Sequence, residues 1–180
     1  VACGSKQQSI NIVGSTTVQP LAEKLAQVYT QDHPDVKIDV AGGGSSAGVK
    51  AAGEGTADIG NASREVKDSE LETYPDLEIF VIARDGIAIV THPDVPVDGL
   101  TKQQVREIYA GTINNWSKVG GDDVLITVVS REEGSGTRGA FEEMVMGEAA
   151  ITGDAIFQDS NGKVRTSVSS TPSSIGFLSF

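Results

Sequence analysis

The alternation of apolar and polar positions along the chain repeats one unit, a short strand, a small polar turn and an amphipathic helix. Ser9-Ile10-Asn11-Ile12-Val13 alternates as a half-buried strand does and runs into Gly14-Ser15-Thr16-Thr17. Leu21, Leu25, Val28 and Tyr29 then fall at helical spacing, with Pro20 in the first turn, where a missing N–H does no harm. Val36-Lys37-Ile38-Asp39-Val40 alternates again and leads through Gly42-Gly43-Gly44-Ser45-Ser46 into a short helix carrying Val49, Ala51 and Ala52. A third polar turn, Asn61-Ala62-Ser63-Arg64, follows a short apolar segment, and Glu78 to Ala83 reads as a strand. Gly86 to Thr91 predicts another buried strand. Thr101 and Gln104 have the spacing of a capping box ahead of Val105, Ile108 and Tyr109. Leu125 to Val129 predicts the strand that feeds Ser130-Arg131-Glu132-Glu133-Gly134-Ser135-Gly136-Thr137-Arg138, with Phe141, Met144 and Val145 at helical spacing beyond it. Ile175-Gly176-Phe177-Leu178-Ser179-Phe180 begins one more strand. Such alternation predicts an α/β fold with mostly parallel sheets flanked by helices.

In an open α/β sheet the turns after parallel strands collect at the carboxyl edge, where these sheets bind ligands. Four of the turns are rich in Gly, Ser or Thr, and two of them carry an arginine, Arg64 or Arg131. Hydroxyls, helix-start amides and a planar guanidinium together make a donor set for a small tetrahedral oxyanion such as phosphate or sulfate.

Charge and composition narrow the partners. With a net charge of −11 the chain has no basic footprint for nucleic acid or an anionic membrane surface, so no nucleic-acid partner is expected. Cys3 stands without a second cysteine, and His33 and His92 each precede a proline, so no metal site and no cofactor is expected. No apolar run approaches the roughly 18 residues that a membrane span needs.

Gly44-Ser45-Ser46-Ala47-Gly48 fits a nucleophile elbow, which would make the chain a serine hydrolase using Ser46. That chemistry needs a late histidine, and none follows His92, so a binding protein rather than an enzyme is expected. A receptor for another oxyanion, sulfate or molybdate, is the nearer alternative.

Val13-Gly14-Ser15-Thr16-Thr17, Gly44-Ser45-Ser46-Ala47-Gly48-Val49-Lys50, Asp58-Ile59-Gly60-Asn61-Ala62-Ser63-Arg64, Asp85-Gly86-Ile87-Ala88, Tyr109-Ala110-Gly111-Thr112-Ile113-Asn114-Asn115-Trp116 and Arg131-Glu132-Glu133-Gly134-Ser135-Gly136-Thr137 occur in this order. Together they resemble the successive signatures of the phosphate-binding proteins of ABC transporters. The resemblance implies a two-lobed, periplasmic-binding-protein-like fold of type II that takes inorganic phosphate in the cleft between its lobes and hands it to ABC permease subunits outside the cytoplasm. It implies residues 1–8 as a flexible leader, 9–84 as the first lobe with 175–180 beginning the return to it, and 85–174 as the second lobe. Val1-Ala2-Cys3-Gly4 resembles the end of a lipoprotein signal, with Cys3 as the lipidated anchor to the membrane.

Carried over by motif, Thr16, Thr17, Ser45, Arg131, Ser135, Gly136 and Thr137 contact phosphate, and Glu133 holds Arg131 in place. The sequence departs from the family pattern at the third turn, where many relatives place an aspartate that accepts the ligand's proton and this chain has Ser63 and Arg64. Both are expected at the ligand, Arg64 as a second cation, with the acceptor role falling to Asp85. Family members also continue beyond the segment matching Gly176-Phe177-Leu178-Ser179.

Overall fold

β1 (Gln8–Gly14), β2 (Val36–Gly42) and β3 (Ile59–Asn61) form a parallel sheet in the order β2-β1-β3. This is the first of two units in a computed structural model that describes residues 8–180, and the chain divides between Ala83 and Arg84. Cys3 lies outside the described residues, and Gln8, expected in the leader, already pairs with Val36. The register places Gly14 opposite both Gly42 and Asn61, so all three strands end level. That alignment is what brings the turns after them together.

α1 (Gln19–Asp32), α2 (Ser45–Gly53) and α3 (Asp68–Thr73) complete the unit. α2 lies directly on the ends of β1 and β3, because Gly48 has no side chain. A Cβ there would sit 2.6 Å from the Asn61 carbonyl oxygen and 2.7 Å from that of Val13. Real Cβ atoms do not approach so closely. α1 has the expected span but a different buried face, with Ala22 and Ala26 against the sheet while Leu21, Leu25, Val28 and Tyr29 are exposed. The small alanines let the helix approach closely, and the large stripe, about 100° round the helix, is left uncovered by the described residues.

The strand expected over Glu78 to Ala83 is irregular. Ile79, Phe80, Val81 and Ile82 are 54–84% exposed. Their β-branched and aromatic side chains favour a strand only where an edge is available to pair with, and among the described residues no strand pairs with this run.

The second unit holds β4 (Ile87–Thr91), α4 (Lys102–Tyr109), β5 (Thr127–Arg131), α5 (Gly136–Phe141), β6 (Ile156–Gln158), α6 (Asn161–Ser170) and β7 (Ser174–Ser179). Strand order is β4-β7-β5-β6, with β7 antiparallel to β4 and parallel to β5. The segment 175–180, expected to begin the return to the first unit, pairs within the second unit, with the end of β7 beside the start of β4. β7 is an interior strand of that unit, and Thr171 to Ser173 link it to α6. Ile175 and Phe177 are fully buried on one face, where Phe177 stacks on Phe141 at 4.2 Å and meets Tyr109 at 5.6 Å. Gly176 on the opposite face leaves room for Val164 and Val168 of α6.

The two polar aromatic tips inside this core are satisfied. The Tyr109 hydroxyl donates to the Val129 carbonyl at 3.2 Å, and the Trp116 indole N–H donates to Ser173 at 2.8 Å. Burial pushes the Tyr109 phenol well above its usual range, so it stays neutral.

If β7 is a core strand, Phe177→Ala should cost about 3–5 kcal/mol in urea unfolding. Phe180→Ala, at an 89% exposed position, should stay within about 0.5 kcal/mol of the unaltered chain. Equal, small effects would contradict this placement.

Candidate oxyanion site

In the first unit, each of the three level strand ends delivers one serine to the same spot. Ser15 follows β1, Ser45 opens α2 after β2, and Ser63 follows β3. The Ser15 hydroxyl donates to the Ser63 oxygen at 2.9 Å, and the Ser63 amide donates to the Ser45 oxygen at 3.0 Å. The Ser45 and Ser63 hydroxyls are 3.4 Å apart, and the Thr17 amide donates to Ser15 at 3.2 Å. Backbone bonds tie the same turns, from the Ser15 amide to the Asn61 carbonyl at 2.9 Å and from the Gly44 amide to Gly14 at 3.0 Å. Ser15 and Ser45 are buried, while Ser63 is half-buried at the edge of the cluster.

Arg64, next to Ser63, forms a bidentate pair with Glu70 of α3, Nη2 to Oε1 at 2.7 Å and Nη1 to Oε2 at 2.8 Å. Its remaining terminal N–H groups reach the Ser46 hydroxyl at 2.9 Å and the Glu65 carbonyl at 2.8 Å. The hydrogen bonds from Arg64, acting against burial, hold the Glu70 carboxyl below its usual range.

In the second unit the end of β5 and the start of α5 make a comparable corner. Gly134, at φ 87°, turns the chain in the left-handed region, and Ser135 caps α5, its hydroxyl accepting the Arg138 amide at 3.2 Å. Gly136 and Thr137 form the first turn of that helix, and both are buried. Arg131, only 1% exposed, is held bidentately by Glu132, Nε to Oε2 at 2.8 Å and Nη2 to Oε1 at 2.9 Å. Nη1 also donates to the Asn161 side chain at 3.1 Å, and Nε to the Gln158 carbonyl at 3.2 Å. Arg138 donates to the Arg131 carbonyl at 3.1 Å and to Glu142 at 2.8 Å. Both corners thus offer hydroxyls and helix-start amides beside arginines whose charge is already matched by a carboxylate. Such sites hold a small oxyanion by hydrogen bonding and local dipoles.

The sequence profile of the PBP superfamily domain matches residues 2–180. The chain belongs to that superfamily. Within it the chain falls in the phosphate-binding family of ABC transporters. A protein from Clostridium perfringens, assigned to phosphate ABC transport as the substrate-binding component and crystallised with bound phosphate, is 43% identical with a TM-score of 0.91, covering 96% of this chain and 71% of its own. An ABC-type phosphate transport receptor from Vibrio cholerae is 39% identical with a TM-score of 0.71, covering 94% of this chain and 70% of its own. The phosphate-binding protein PstS of Bacillus subtilis is 33% identical over 175 residues, 96% of this chain. This PBP domain spans 57% of the length of that relative.

Within the PBP domain, the structure brings Ser45 and Ser63 together, with Thr16 and Thr17 half-buried in the adjoining turn. It separately gathers Arg131, Ser135, Gly136 and Thr137. One expectation changes. Glu133 is exposed and Glu132 holds Arg131 instead, because Glu132 lies just past the end of β5 and is free to fold back along the strand edge. Arg64 has all four terminal N–H groups engaged within its own unit, where it ties the third turn to α2 and α3. Asp85 is exposed, and its carboxylate accepts the Gly86 amide at 2.8 Å. Ser46 is held by a guanidinium, which cannot serve as a general base.

Sequence reasoning missed Ser15, Glu70, Glu132 and Asn161. Ser15 sat inside a recognised turn. The one local sign for Glu70 was its place three residues after Lys67, whose amide it accepts at 2.9 Å.

Because the native carboxyl of Glu70 titrates below its ordinary value of 4.5, its contribution to stability is complete above that pH. It is lost as the pH falls through the depressed native value. Glu70→Gln should therefore destabilise the protein by about 1–3 kcal/mol at pH 7. In urea unfolding the gap to the unaltered chain should narrow from pH 4.5 downward, and a gap constant down to pH 3 would contradict it.

Proposed function

We propose that this PBP domain captures inorganic phosphate outside the cytoplasm and delivers it to the permease of an ABC transporter, anchored by lipid at Cys3. What supports this most is a donor-rich corner in each unit, Ser15/Ser45/Ser63 in the first and Arg131/Ser135/Thr137 in the second, in a chain 43% identical to a relative crystallised with phosphate. Thr16, Thr17 and Gly136 add hydroxyl and helix-start donors, and Asp85 remains the carboxylate proposed to accept the ligand's proton.

Energetically the reading is undemanding. A charge-assisted hydrogen bond contributes about 1.5–3 kcal/mol, and micromolar binding needs about 8 kcal/mol net. Several such bonds exceed the costs of desolvation and ordering. Phosphate near neutral pH carries a proton and sulfate does not, so a nearby fixed carboxylate accepts from the first and repels the second.

Calorimetric titration with phosphate near neutral pH, with sulfate in excess, tests the proposal. Micromolar or tighter binding that sulfate does not displace is expected, and Ser135→Ala should weaken it about 2- to 13-fold. Absence of binding would overturn the reading. Equal displacement by sulfate would make the protein a general oxyanion receptor.

A further inference from the structure

We infer that Glu70 is a positioning residue for the anion site, acting through Arg64 on Ser63; the inference rests on the phosphate reading above. Arg64 immediately follows Ser63 in the chain, and its side chain is 8% exposed. One terminal nitrogen binds Ser46, the second residue of α2, and both bind Glu70. The guanidinium therefore spans the two elements whose separation sets the Ser63–Ser45 contact, the third turn and the start of α2.

Glu70 fixes where that guanidinium lies. Its carboxylate also accepts the Lys67 amide at 2.9 Å, so the pair is anchored to the first turn of α3. Without Glu70, a nearly buried cation would have to turn towards water to find a partner, and the Ser46 bond and the backbone at Ser63 would move with it.

Ser63 is the sensitive end of this arrangement. Its oxygen accepts from Ser15 and lies 3.4 Å from Ser45. The two hydroxyls are close enough for either to donate to the other. A ligand oxygen accepting from Ser63 selects the arrangement in which Ser45 donates, with both lone pairs of Ser63 occupied. A fixed donor of this kind depends on its position.

The test is a double-mutant cycle on phosphate affinity, measured by calorimetry at neutral pH on chains shown by unfolding to be native. Glu70→Ala should weaken phosphate binding about tenfold, the scale of one well-placed hydrogen bond. In a Ser63→Ala background the same change should have less than a twofold effect, because its route to the ligand is gone. Glu70→Asp, which keeps the charge, should recover part of the loss. If Glu70→Ala does not fold, Glu70→Gln carries the same cycle. Unchanged affinity in the single variant, or full additivity with Ser63→Ala, would overturn the inference. Loss of stability alone would not produce the cycle. Failure of the unaltered chain to bind phosphate would instead overturn the functional reading.

Discussion

The first unit depends on a backbone contact that only glycine permits. Gly48 of α2 sits against the carbonyl oxygens of Val13 and Asn61, and a Cβ on Gly14 would lie 2.1 Å from the same Asn61 oxygen. Gly60 is equally confined, since a Cβ there would lie 2.3 Å from the Gly48 oxygen. Helix and sheet therefore meet main chain to main chain. The start of α2 is drawn in until Ser45 and Ser63 are within hydrogen-bonding distance, and Ser15 follows because its amide bonds to Asn61. A side chain at any of these glycines would separate the turns and, with them, the donors.

In both units the arginines beside the donors are already neutralised. Arg64 pairs with Glu70 and Arg131 with Glu132, each bidentately. In a chain of net charge −11, both corners thus offer an anion hydroxyls and amides beside arginines already matched by carboxylates. Pairing also keeps these deeply placed guanidiniums from carrying the cost of an unmatched buried charge. Their contribution is geometric, since a planar fork with fixed partners holds the turn around it in place.

The parts of the fold legible in the sequence were those set by local pattern. Val36 to Val40 alternates because one face of β2 is covered, and Thr101 with Gln104 announces α4 by reciprocal capping. The parts that were not legible depend on distant partners. Phe177 reads the same whether its strand belongs to one unit or the other, and its stacking on Phe141 settles the matter. Periodicity marks Leu21 and Leu25 as apolar without revealing that Ala22 and Ala26 make the closer contact. At the site, the turns were visible because Gly, Ser and Thr cluster there. The carboxylates that hold the arginines were not, since nothing local distinguishes Glu132 from Glu133 or links Arg64 to Glu70.

If the turns after β1, β2 and β3 in the first unit, and the turn after β5 in the second, carry the oxyanion donors, phosphate must perturb their backbone amides. Amide chemical shifts recorded during a phosphate titration test it most directly. The largest changes should fall on Ser15 to Thr17, Gly44 to Ser46, Ala62 to Arg64 and Glu132 to Thr137. Saturable changes centred elsewhere, with these amides unmoved, would contradict it.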